Sequence, residues 1–417
     1  MRWRTSEWLH RTCVVAVGLA CVGTVSNAVS AVATQMPPEF RASDIFRAGD
    51  LVGANYSVNP KVRNNGYLNV FTVNVEGDQY GVVGNALMSE RLHELVVLQR
   101  MDMVQRSDVY IEAVKNAGMA PLELAGNLVT SPIDTVGALA SGFGTFFESV
   151  GHSMFGGASE HEEGMLKTMV GFDAAKRQFA FEFGIDPYTS FPPVQDRLNE
   201  IALAATGGSL TVSAAFSFAG PAATPLGATK MSEGMRKLIR DKTPAELKDI
   251  NADKLSRMDV NSSIADLFLE HPKFSPSEKT LLVGALASVG AHGRQVFIER
   301  AIAVHEEPMA YHLRRWAQMI AAYHGRVKPV QRFVGVGKGT FVQNQDGVLV
   351  GLFPVDHIAW TQELASRHAT NMQALPGVEN VTGGEMWLEG TISTKAREAL
   401  ESQGWVIKER VGPELGI

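Results

Sequence analysis

The chain has 417 residues, only two cysteines and a formal charge of −6. Its acidic balance is mild and spread along the sequence, and no long basic run gives nucleic-acid binding an electrostatic footprint. Both thiols, Cys13 and Cys21, lie within the first 33 residues, so a chain that loses this segment has no disulfide, thiolate nucleophile or Cys-ligated metal.

Residues 1–33 read as a signal peptide. Arg2, Arg4 and Arg11 face a single Glu7, and an uncharged apolar run, Cys13 to Val25, follows. Small residues then stand at signal-peptidase spacing at Ala31-Val32-Ala33, with Ser26-Asn27-Ala28 as an earlier option. The apolar run is too short to cross about 30 Å of hydrocarbon, which takes about 20 residues. The expectation is export to the periplasm or cell envelope, with no transmembrane helix in the mature chain. A rival reading makes Cys21 the acylated residue of a lipoprotein, although Gly18 stands where a Leu-like residue is expected.

Residues 34–118 predict a strand-rich segment plus a long helix. Tyr67, Phe71, Val73 and Val75 share one face at period two, Glu76-Gly77-Asp78 closes the run, and Tyr80 to Val83 pairs back as a hairpin. From 85 to 117 the apolar spacing turns helical, with Gly118 as a C-cap. Residues 119–230 are rich in small side chains and carry no charge between Glu200 and Lys230. Helices and one strand are expected there, the strand from the alternation of Leu210, Val212, Ala214, Phe216 and Phe218. Residues 231–329 read as helical: Asp241 to Asp259 is polar and turn-rich, followed by helices over 277–289, 295–304 and 309–323.

The tail, 330–417, predicts a small α+β module. Its strands are 332–336, 340–343, 348–353, 385–389 and 405–407, its helices run from Ile358 to Met372 and onward from an N-cap at Ser393, and its last β-α-β unit crosses over right-handed. The fold class is therefore α+β: a strand-plus-helix N-terminal part, a helical middle and a C-terminal module with a mixed sheet.

Chemistry-bearing motifs are sparse. Gly335 to Thr340 resembles a P-loop, but Arg332 occupies the position of its first glycine and a hairpin follows instead of a helix. Asp249-x-Asn251-x-Asp253 starts like a calcium loop, yet Lys254 and Val260 replace the required Gly and Glu. His305, His312 and His324 do not share a metal-binding face, so neither a metal nor a cofactor is expected. Asp356 and His357, with Trp360, follow a strand end, where functional side chains are often exposed, and are the catalytic or ligand-site candidates. The structural alternative makes Asp356 the N-cap of the following helix, with Trp360 buried.

Residues 121–153 align in elevens (PLELAGNLVTS, PIDTVGALASG, FGTFFESVGHS). Eleven residues make about three helical turns, which keeps apolar columns on one face. Leu122, Leu128, Val136, Leu139, Phe143, Phe146, Phe147 and Val150 form the candidate lipid or partner face, with core packing as the alternative. Two functions follow as expectations. The first is a non-enzymatic envelope protein contacting a membrane surface or partner protein through this face. The second is a soluble periplasmic enzyme or ligand-binding protein with its site near Asp356 and His357.

Overall fold

The computed structural model describes residues 32–116, 160–207, 210–212, 214–215, 232–337 and 339–417, with side chains in the second stretch from 171 to 206. Most of the signal segment, all of the 121–153 face and residues 216–230 lie outside the described residues. The architecture is mixed α+β. The chain divides into two compact units: one holds the described residues up to Leu95, those of 226–235 and 242–417, and the other those of 96–225 and 236–241.

In the first unit an antiparallel sheet forms from β1 (Glu39–Arg41), β2 (Tyr56–Val58), β3 (Lys61–Asn64), β4 (Asn69–Val75) and β5 (Asp78–Val83). β4 is its centre and pairs with β2, β3 and β5. Its alternating sequence buries Phe71, Val73 and Val75 on one face, as period two requires. Glu76 and Gly77, both at positive φ, make the hairpin turn into β5, a conformation whose twist matches the paired strands. Gly84, at φ +95°, then turns the chain into a long helix, Asn85–Gln105.

The second sheet has the order β12-β10-β8-β7-β6, built from β6 (Val330–Val336), β7 (Gly339–Asn344), β8 (Val348–Phe353), β10 (Gly383–Leu388) and β12 (Trp405–Lys408). β6, β7 and β8 are an antiparallel meander; β8, β10 and β12 are parallel, joined through the helices Gln362–Ala374 and Thr394–Glu401. A small parallel pair, β9 (His357–Ile358) with β11 (Thr391–Ile392), sits beside it in sequence. The helix Glu307–Arg326 supplies the main apolar cover. Its Trp316 packs on Phe297 and Phe353, and its Tyr323 stands edge-on to Trp387 at 5.1 Å while accepting a hydrogen bond from Asn344. Burying four Trp and several Phe rings in one cluster gives this unit its largest apolar payload.

The second unit is helical among its described residues. Val97, Met101, Phe179, Phe183, Leu198 and Ile201 form its core, contributed by Asn85–Gln105, Glu160–Phe183 and Pro192–Gly207. Arg236 and Arg240 both lie over the ring of Phe181, at 4.8 and 4.4 Å.

Four elements differ from the sequence expectation. The helix expected over 85–117 breaks at Ser107, whose hydroxyl accepts from the Tyr110 N–H and starts a new helix, Asp108–Asn116. Asp241 to Asp259 is mostly a helix, Pro244–Arg257, because Thr243 and Glu246 close a reciprocal capping box with Pro at the first turn. In the expected strand over 210–218, Val212, Ala214 and Ala215 are helical, and the Ala215 N–H meets the Thr211 carbonyl at 3.0 Å. Alternation among such small residues carries little period information, and alanine favours the helix. Last, the helix expected from Ile358 starts at Gln362, because His357 and Ile358 pair as β9.

Candidate functional site

The segment after β8 is where the first unit is tied together. Its backbone docks on the loop between β3 and β4: the N–H groups of Asp356 and His357 both donate to the Tyr67 carbonyl, at 2.9 and 3.1 Å, and Ala359 donates to Gly66. That loop is shaped by its own asparagines. Asn64 accepts from the Gly66 N–H at 2.7 Å, and Asn65 accepts from Tyr67 and Leu68. Gly66 sits at φ +104°, so Asn64-Asn65-Gly66 is a turn, and it serves as a docking surface for the chain nearly 300 residues later.

Asp356 does not cap the helix that follows it. Thr361 does that, accepting from the Leu364 N–H. The Asp356 carboxylate instead accepts from the backbone N–H of Asn69, at 2.7 Å, and of Asn85, at 3.0 Å. It thus caps a helix 271 residues away in sequence, at the positive end of the Asn85–Gln105 dipole. The side chains of Asn64, Asn69 and Asn85 continue the network: Asn64 donates to Asn69 and Asn69 donates to Asn85. Burial pushes the Asp356 carboxyl up to about 7, against the two backbone N–H groups that pull it down, and nearby Glu389 adds to the rise.

Asp356 and His357 are adjacent in sequence but are not brought together. His357 turns its Nδ1 to the Thr391 hydroxyl at 2.7 Å and meets the edge of Phe40; burial lowers its pKa. Trp360 is buried against His368 and donates its indole N–H to the Val32 carbonyl. The three candidates therefore diverge, and of them Asp356 lines the cleft described next.

That cavity is a cleft of about 570 Å³ within the first unit. Asn85, Ala86 and Ser89 form one wall, Tyr311, Arg314, Arg315 and Gln318 another, and Val355, Asp356, Glu389 and Gly390 a third; Leu281, Ala285 and Ala321 make an apolar patch. Arg315 holds Glu389 in a two-pronged ion pair. Arg314 lies over the Tyr311 ring at 4.3 Å and reaches Glu90 at 3.4 Å, while Arg91 and Glu94 pair one helical turn away. Burial and Glu90 push the Tyr311 hydroxyl far above its usual range, so it is a donor at neutral pH. Gly390 is required by close approach: a Cβ there would stand 2.0 Å from the Asp356 carbonyl oxygen.

Sequence reasoning found Asp356 but missed Asn85, Ser89, Arg314, Arg315, Gln318 and Glu389. Arg314-Arg315 inside an apolar helix and Glu389-Gly390 at a strand end were the available signals. The other predicted site residues, Leu122 to Val150, lie outside the described residues. Among the described residues no group of three or more His, Cys, Asp and Glu side chains is placed to hold a metal, and no helix is long and apolar enough to cross a membrane. The chain matches no protein family, no curated protein and no solved structure.

Two buried groups give opposite pH dependences. The Asp356 carboxyl, near 7 when folded and 3.8 ordinarily, makes the folded state lose stability as pH rises from about 4 to 7. His312, whose Nε2 has no hydrogen-bond partner, is pushed by burial from 6.5 down to about 4, so the folded state loses stability as pH falls through that window. Asp356→Asn should therefore steepen the loss of stability between pH 7 and pH 4.5, and His312→Leu should flatten it, read by urea unfolding at the two pH values. Identical pH dependence in both variants and the parent would contradict these assignments.

Proposed function

We propose that the chain is an exported protein that binds a small, part-polar and part-apolar molecule in the cleft beside Asp356. The observation that carries the reading is the lining itself. A cavity of about 570 Å³ falls within the size range of small-molecule sites, and it sets a few polar groups against an apolar patch. Arg315, Gln318, Asn85 and Ser89 supply donors and acceptors of both kinds, and Leu281, Ala285 and Ala321 supply the patch.

Binding is favoured over turnover by how the charged groups are engaged. Both Asp356 oxygens receive backbone N–H bonds, and Glu389 is held by Arg315. These bonds fix where the two carboxylates point, which suits a site that holds a molecule in one orientation. The signal-peptide pattern of residues 1–33 supports a periplasmic or envelope location.

The eleven-residue register at 121–153 supports a second, compatible reading, in which Val136, Leu139 and the neighbouring phenylalanines attach the protein to a membrane surface or an envelope partner. Alkaline carbonate extraction of host membranes decides it: a protein that stays in the pellet agrees with an apolar attachment, and one found wholly in the soluble fraction contradicts it.

The cleft is tested by thermal shift against a panel of small carboxylates, phosphates, amines and neutral amphiphiles. A true ligand at 100 times its Kd should add about 2.7 kcal/mol of stability. Gln318→Ala should weaken that ligand roughly fivefold, the equivalent of one hydrogen bond of about 1 kcal/mol. A panel without a hit, or a hit indifferent to both Gln318→Ala and Ser89→Ala, counts against the cleft.

A further inference from the structure

The charge on the walls of the cleft is already matched. Its charged side chains are Arg314, Arg315, Asp356 and Glu389. Arg315 is held by Glu389, and Arg314 reaches Glu90 at 3.4 Å while lying over the Tyr311 ring. Asp356 accepts two backbone N–H bonds, one of them at the positive end of the Asn85–Gln105 helix. A charged ligand would therefore give up its water and draw its counter-ion out of a contact that the fold uses. Desolvating a charge on those terms is expensive.

Beyond those contacts the polar groups on the walls are neutral. The asparagines form a relay of fixed sense. Asn64 Oδ1 accepts from the Gly66 N–H, Asn64 Nδ2 donates to Asn69 Oδ1 at 3.0 Å, and Asn69 Nδ2 donates to Asn85 Oδ1 at 2.9 Å. Since its oxygen ends the relay as an acceptor, Asn85 has its Nδ2 hydrogens to give to a molecule in the cleft. Ser89 stands one helical turn on, on the same face of the helix. Gln318, half-buried on another wall, brings an amide oxygen and an amide nitrogen. A hydroxyl group both donates and accepts, so a molecule with several of them satisfies all three side chains without carrying charge. The apolar patch of Leu281, Ala285 and Ala321 suits the C–H face of such a molecule.

We infer that the ligand of the cleft is an uncharged sugar, with hydroxyls on Asn85, Ser89 and Gln318 and its C–H face on Leu281, Ala285 and Ala321. Selection against charge is built into the walls, because a carboxylate or ammonium on the same ring has to compete with the Arg315–Glu389 and Arg314–Glu90 pairs. The inference rests on the cleft reading given above, and the two fail in different ways.

Titration calorimetry of the full chain with the neutral hexoses, each beside its uronate and its amino sugar, tests it. The expected result is that at least one hexose binds, that its uronate and amino sugar bind at least about tenfold more weakly, and that Ser89→Ala and Gln318→Ala each weaken the hexose roughly fivefold. A uronate or amino sugar that binds within that margin of its hexose, and is weakened by Gln318→Ala, overturns the inference and leaves the cleft reading standing. So does a series in which no hexose binds while a carboxylate, phosphate, amine or neutral amphiphile binds through Gln318 or Ser89. A hexose indifferent to both substitutions, or no binding by any of these compounds, overturns the inference and the cleft reading together.

Discussion

The first unit depends on one carboxylate. Asp356 meets the backbone N–H at the start of β4 and the backbone N–H at the start of the Asn85–Gln105 helix, while its own backbone is held by Tyr67 and Thr391. Each partner has a need that the others satisfy. A helix start has N–H groups with no intrahelical acceptor, a strand start has a donor outside the ladder, and a desolvated carboxylate needs donors. The arrangement joins residues 64–85 to the chain after β8, across more than 270 positions of sequence.

The cleft is a by-product of that junction. Because Asp356 must reach Asn85, the strand end at 353–356 lies beside the first turn of the helix, and the Arg314-Arg315 face of Glu307–Arg326 forms a further wall. Gly390 permits the closest backbone approach, and Glu389 next to it fixes Arg315. Structural and binding roles therefore meet in the same few residues. A ligand in this space touches a wall set by the clasp.

Much of the fold was legible in the sequence because period and turn chemistry are local. The β4–β5 hairpin, the Ser393 cap and the strands of the C-terminal module are all carried by short patterns. The elements misread were those where a local signal was weak or shared. Polar Pro244–Arg257 hides its helix behind a capping box, and the small residues after 209 fit either period. The site was legible only in part. Asp356 reads in the sequence as a ligand-site candidate or a local cap, whereas its real partners are Asn69 and Asn85, and no spacing rule connects positions nearly 300 residues apart. Arg315, Gln318 and Glu389 are likewise assembled by packing of distant elements, which a one-dimensional pattern does not encode.

Amide hydrogen exchange at Asn69 and Asn85, compared between the parent chain and Asp356→Ala, tests the central role of this carboxylate most directly. The account predicts that both amides are strongly protected in the parent, since each donates to Asp356. In the variant they should exchange at least about tenfold faster, while amides of the β7–β8 hairpin keep their protection. If Asn69 and Asn85 exchange at the same rate in both proteins, the carboxylate is not what holds the strand and the helix start, and the account is wrong.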